Sequence, residues 1–291
     1  MLPGALSWHD ADPMTEPANS SDQPPLVRTV TANIEAQVVG QTDLILAVAC
    51  AGTYDNVDET LNVRLGGEKL SPQVMVGDAG SRSHMLRGVT DGQLQIEYRA
   101  EITGMVNQEE GTDEAWFRYL RPSRYCESDR LGPLAYGDFG HLEGHDLLAG
   151  VSDWVNANLA YVTGWSRPTD GAVATLLGRA GVCRDFAHLT AALLRANNVP
   201  ARVVSVYAPG LMPMDFHAVA EACLDGKWFV VDPTRLAPRQ SLVRIASGLD
   251  ATETAFLTNI GGTVNLNNLW VTALVQPQLS VDNFSAPGWI Q

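Results

Sequence analysis

A cysteine, a histidine and an aspartate occur in this chain in an order and in local settings that suit acyl transfer. Cys183 stands in Gly181-Val182-Cys183-Arg184-Asp185-Phe186-Ala187-His188-Leu189, His217 in Asp215-Phe216-His217-Ala218-Val219, and Asp232 in Val230-Val231-Asp232-Pro233-Thr234. Together they can supply a thiol nucleophile, a base that takes its proton, and a carboxylate that orients the base and stabilises its charged form. Each alone has a plainer fate. A lone cysteine is commonly a small buried apolar group, a strand-end histidine is half-exposed, and an aspartate before proline begins a turn. The conjunction is what points to chemistry.

The elements that carry these residues are readable. After Cys183, Phe186, Leu189, Leu193 and Leu194 recur at helical spacing, and Asn197-Asn198 with Pro200 ends the pattern. Cys183 therefore sits in a first helical turn, where free backbone N–H groups and the helix dipole favour a thiolate and can bind an oxyanion. Ala201–Tyr207 reads as a strand. From His217 to Leu224 apolar and polar positions alternate, Asp225-Gly226 is a two-residue hairpin signal, and Lys227–Asp232 is the returning strand. In that register Leu224 pairs with Lys227 and Asp232 lies opposite Val219. His217 becomes the same-face diagonal neighbour of Asp232, with Cβ atoms about 7–8 Å apart or somewhat less. One inserted residue would put the two on opposite faces.

Other residues have lesser claims. Tyr161, Trp165 and Trp154 are candidates for a side chain completing the oxyanion hole beside the Cys183 N–H, with Tyr161 preferred. Asp185 reads as a first-turn carboxylate facing the helix dipole. His188 lies about 140° around the helix from Cys183 and reads as structural. Glu221 shares the strand face of His217 and is a candidate for the cleft wall. Met212 and Met214 precede His217 in a loop and could form a lid or pack beneath it. Cys50, Cys126 and Cys223 read as inert thiols.

Residues 1–27, rich in Pro, Asp, Ser and Asn, read as a flexible arm. Residues 28–120 form a β-rich domain: Val30 to Val38 alternate, Leu44–Cys50 has buried-strand length, Leu61, Val63 and Leu65 precede the Gly66-Gly67 turn, and Asp91-Gly92 separates two runs that resemble a hairpin. Such spacing suits an antiparallel sandwich. Residues 121–144 connect it to a second domain, 145–291, with helices over about 145–163 and 172–177. The fold class is α+β.

A net charge of −14 argues against nucleic-acid or anionic-membrane partners. No apolar run is long enough to span a membrane, no secretory signal pattern opens the chain, and the four cysteines show no CxxC or zinc spacing. These features lead us to expect a cytoplasmic protein with reduced thiols, without metal or cofactor. The oligomeric state is open.

The three motifs around Cys183, His217 and Asp232 resemble those of the transglutaminase-like superfamily, and most closely its bacterial branch often labelled cysteine proteases. The resemblance covers about residues 145–262. Residues 28–120 are similar to the β-rich domain that accompanies this branch. The resemblance implies a papain-like core and a Cys-His-Asp triad at Cys183, His217 and Asp232. Because such folds host several activities, three functions are open. The first is a hydrolase of a peptide, protein or small amide substrate acting through a thioester. The second is a transglutaminase-type amine transferase, and the third is a catalytically silent binding or scaffold protein.

Overall fold

The computed structural model describes residues 25–291; the greater part of the expected N-terminal arm lies outside them. Seven strands come first: β1 (Val27–Val39), β2 (Thr42–Leu46), β3 (Val57–Leu65), β4 (Glu68–Leu70), β5 (Gln73–Val76), β6 (Arg82–Val89) and β7 (Gly92–Thr103). Helices α1 (Asp113–Arg118), α2 (Gly132–Phe139) and α3 (Gly144–Asn158) lead to β8 (Ala160–Tyr161), α4 (Ala172–Gly178), β9 (Ala180–Gly181) and α5 (Cys183–Ala196). Then follow β10 (Ala201–Tyr207), β11 (Phe216–Leu224), β12 (Lys227–Val231), β13 (Val243–Gly248), α6 (Ala251–Thr254), β14 (Leu257–Ile260) and β15 (Thr263–Gln276).

The β-rich region is two antiparallel sheets, ordered β15-β1-β7-β3-β4 and β14-β2-β6-β5. Val30, Ala32, Ile34, Ala36 and Val38 of β1 are all buried, as their alternation requires, and they share a core with Leu44, Leu46, Leu94 and Ile96. The β3–β4 hairpin turns at Gly66-Gly67, both with positive φ. The resemblance to a hairpin at Asp91-Gly92 does not hold. β6 pairs with β2 and β5, whereas β7 pairs with β1 and β3, so the turn crosses between sheets. Asp91 accepts a hydrogen bond from the Gly40 N–H there at 2.7 Å, fastening the crossing rather than a hairpin. Of the run 44–50, only residues through Leu46 stay in the ladder. The next residues turn to the sheet β12-β11-β10-β13, where the Ala51 N–H donates to Arg244 C=O at 2.8 Å and the Tyr207 hydroxyl donates to Val48 C=O at 2.7 Å.

The last two strands of the chain pair with the first two. β15 pairs with β1 from Val27↔Gln276 to Val39↔Thr263, and β14 pairs with β2. Residues 257–276 thus complete the N-terminal sandwich instead of remaining with the second core. Without β15, β1 would expose a full edge of unpaired backbone groups.

The second core is the sheet β12-β11-β10-β13 with α5 packed against it. α5 is buried nearly all round, beyond the single apolar face its spacing suggests. α2, α3 and α4 surround it. The Arg195 guanidinium donates to the carbonyls of Ala201, Arg121 and Leu249, tying the end of the helix to the connecting segment.

Candidate active site

Cys183 is the first residue of α5. Its entry is shaped by Asp185, whose carboxylate accepts from the Val182 N–H at 2.8 Å and from the Ser166 hydroxyl at 2.9 Å. This is one half of a capping box, the carboxylate reaching back to the N–H of the residue before the helix, and it is made by a residue expected only to face the dipole. Gly181 permits it: a Cβ there would lie 2.6 Å from the Asp185 Cβ. Arg184 holds the preceding loop by donating to the Ser166 hydroxyl and the Arg167 carbonyl.

His217 and Asp232 are joined by the hairpin. Leu224 pairs with Lys227 and the register continues to Ala220↔Val231. Asp225 and Gly226 have φ of 49° and 73°, the positive pair that a two-residue turn of this kind demands. The consequence is a hydrogen bond of 3.0 Å between His217 Nε2 and Asp232 Oδ2, with both side chains wholly buried. Oδ1 of Asp232 accepts from the N–H and hydroxyl of Thr234, at 2.9 and 2.7 Å, which fixes the carboxylate. Burial opposes a charged imidazole. Asp232 and then Cys183 outweigh it, and His217 is pushed up to about 10. Its Nδ1 is buried without a hydrogen-bond partner in this resting geometry.

Tyr161 reaches the same place by a route the sequence conceals. β8 and β9 form a two-residue parallel ladder, Ala160↔Ala180 and Tyr161↔Gly181, so Tyr161 lies level with the turn into α5. Burial, and then the neighbouring Cys183, push its phenol upward, which keeps it a neutral donor. The other two candidates have other surroundings. Trp154 packs edge-on to Phe139 and under Arg179, and Trp165 is exposed beside Gly178.

His188 is structural. Its Nε2 accepts from the Ala251 N–H at 3.1 Å, its ring stacks on Tyr125, and burial, opposed by Asp250, lowers it to about 3. Glu221 does not line the cleft. It is fully buried between Arg202 and Arg244, which bond its carboxylate at 2.7–2.8 Å, and Arg202 also reaches Glu109. Met212 is 76 % exposed rather than packed under its loop. All four cysteines are free thiols, and Cys50 and Cys126 are buried.

Cys183 and His217 open onto a cleft of about 690 Å³ between the catalytic sheet and the sandwich. Phe216, Ile245, Phe256 and Leu269 make it largely apolar, and Asp215 adds a carboxylate that burial shifts upward. The geometry can bring a thiol, an imidazole fixed by a carboxylate, and a phenolic donor to one carbonyl. Among the described residues no helix is long and apolar enough to cross a membrane.

With this core, this sandwich and this cleft, the chain belongs to the transglutaminase-like superfamily. Residues 144–233 match the family of that description. A solved structure from Cytophaga hutchinsonii, named a "putative cysteine protease", is 31 % identical, with 92 % of this chain and 95 % of that chain covered and a TM-score of 0.77. The periplasmic domain of TgpA from Pseudomonas aeruginosa is 20 % identical, covering 74 % of this chain and 92 % of that one, with a TM-score of 0.40. An uncharacterized protein of Mycobacterium leprae is 28 % identical over 151 residues, which are 48 % of this chain. The chain spans about half (54 %) of the length of that curated relative.

Proposed function

We propose that the protein is a cysteine-dependent acyl-transfer enzyme that hydrolyses a peptide or amide bond, with Cys183, His217 and Asp232 as its triad. The observation that carries this reading is the buried His217–Asp232 pair at 3.0 Å, with Cys183 lining the same cleft as that imidazole. The similarity to a protein named as a cysteine protease supports the same class.

In this reading the Cys183 proton already rests on His217, as an imidazolium that Asp232 stabilises beside the thiolate. The sulfur attacks the carbonyl carbon, a C–S bond forms, and the oxyanion is met by the Cys183 N–H and the Tyr161 hydroxyl. The C–N bond then breaks, and the amine leaves with the proton from His217. Water, deprotonated by His217, hydrolyses the thioester and restores the thiol. No cofactor takes part in these steps.

The same thioester resolved by a primary amine would make the protein a transferase. A glutamine peptide offered with and without a primary amine separates the two. Ammonia release without amine incorporation supports hydrolysis, and stoichiometric incorporation contradicts it. If neither occurs with this or any other amide, and a thiol-directed activity probe fails to label Cys183, the protein is a silent binding member of the superfamily.

A further inference from the structure

The cleft that holds Cys183 is bordered by six consecutive residues, Thr254 to Asn259, of which Leu257, Thr258 and Asn259 belong to β14. A strand that presented only a face would contribute alternate residues, and because Leu257, Thr258 and Asn259 all line it the cleft runs along an edge of β14. β14 is indeed the outermost strand of its sheet, paired on one side with β2 and on the other with nothing among the described residues.

The ladder fixes which backbone groups are free. The Ala47 N–H donates to Phe256 C=O at 3.0 Å, and the register gives Leu257↔Leu46 and Asn259↔Leu44. In an antiparallel pair, hydrogen-bonded and non-hydrogen-bonded positions alternate. Phe256, Thr258 and Ile260 therefore bond inward to β2, while the N–H and C=O groups of Leu257 and Asn259 point outward. No hydrogen bond to those outward groups exists among the described residues. Beside this edge, Phe216 stacks on Phe256 with ring centroids 5.2 Å apart, and Phe216 immediately precedes His217.

We infer that the substrate is an extended polypeptide that adds as a strand to the free edge of β14, with its reacting carbonyl at Cys183 and an apolar side chain against Phe216 and Phe256. This inference rests on the catalytic reading above and narrows its substrate from any amide to an unfolded or extended protein segment. Backbone hydrogen bonds to Leu257 and Asn259 would supply sequence-tolerant affinity, and the aromatic wall would supply preference. The sandwich thereby becomes half of the substrate site.

The test uses peptides with an internal electrophile, so that chain on either side of the reacting residue can bind. A nonapeptide of alanine and phenylalanine with a central dehydroalanine alkylates a thiol by forming a C–S bond at its β-carbon, the α-carbon taking up a proton. Its rate with Cys183 is compared with that of N-acetyl-dehydroalanine methylamide, by mass spectrometry of the intact protein. We expect the nonapeptide to react at least about tenfold faster, N-methylation of its backbone to slow it at every second position on one flank, and aspartate in place of phenylalanine to slow it too. Asn259→Pro, which removes one outward N–H from an edge strand, should bring the nonapeptide rate toward that of the small amide and leave the iodoacetamide rate unchanged. Equal rates for the two electrophiles, or N-methylation that slows no position, would overturn the inference. The N-methyl series on the native chain decides the matter if Asn259→Pro does not fold. Loss of His217-dependence in the iodoacetamide reaction would instead strike the catalytic reading.

Discussion

His217 and Asp232 meet at 3.0 Å with no solvent access to either side chain, and Asp232 favours the charged imidazole in a place that would otherwise expel charge. That pairing links stability to pH. The folded value of His217 is about 10, above the ordinary 6.5, so its contribution is fully present below about 6.5 and is lost as pH rises through about 10. Asp232→Asn should cost about 3 kcal/mol at neutral pH, the scale for unpairing a buried ion. The gap between wild type and variant should narrow above about pH 10, as measured by urea unfolding. A gap that stays constant through that range would show that the imidazole is not held charged.

Tyr161→Phe removes only a hydroxyl. If that hydroxyl meets the oxyanion, turnover of an amide substrate should fall by on the order of a hundredfold. Iodoacetamide alkylation of Cys183, which forms no oxyanion, should be nearly unaffected. Parallel loss of both rates would assign Tyr161 to positioning the thiol.

Gly181→Ala places a methyl 2.8 Å from Asp185 Oδ2. The carboxylate must then release the Val182 N–H, and the turn that aims Cys183 loosens. We expect a loss of about 1–3 kcal/mol by thermal unfolding and slower Cys183 alkylation. Unchanged reactivity would mean that the cap does not set the thiol's position.

Glu221 offers the opposite sign of pH linkage. Burial disfavours its ionised form, but Arg244 and Arg202 hold it down to about 2. Its contribution is present above about 4.5 and is lost as pH falls toward about 2. Glu221→Ala should destabilise by about 3–5 kcal/mol at neutral pH, much less near pH 2, and leave Cys183 chemistry intact below the melting temperature. A variant with wild-type stability at neutral pH would contradict this.

Local signals made the centre of this site legible. Asp225-Gly226 sets a two-residue turn, the turn sets the register, and the register brings His217 to Asp232. The start of α5 was equally plain from its spacing and its terminating Asn-Asn and Pro. What escaped reading depends on partners far away in the chain. Arg202 and Arg244 take Glu221 out of the cleft, and Arg244 lies on a strand that no hairpin joins to β11. β14 and β15 look like any strands after the catalytic core, and only pairing with β2 and β1 returns them to the sandwich. The β8–β9 ladder is two residues long, too short to leave a periodic trace, although it is what sets Tyr161 beside Cys183.

The proposed triad requires that His217 and Asp232 activate Cys183. Iodoacetamide alkylation of Cys183, followed from about pH 5 to about pH 11 in wild type and in His217→Ala, tests it most directly. Wild-type Cys183 should react at least about tenfold faster than the variant near neutral pH, and the two should converge as pH rises through about 10, where the imidazole loses its proton. Equal rates in the two proteins near neutral pH, both no faster than a free thiol, would contradict it.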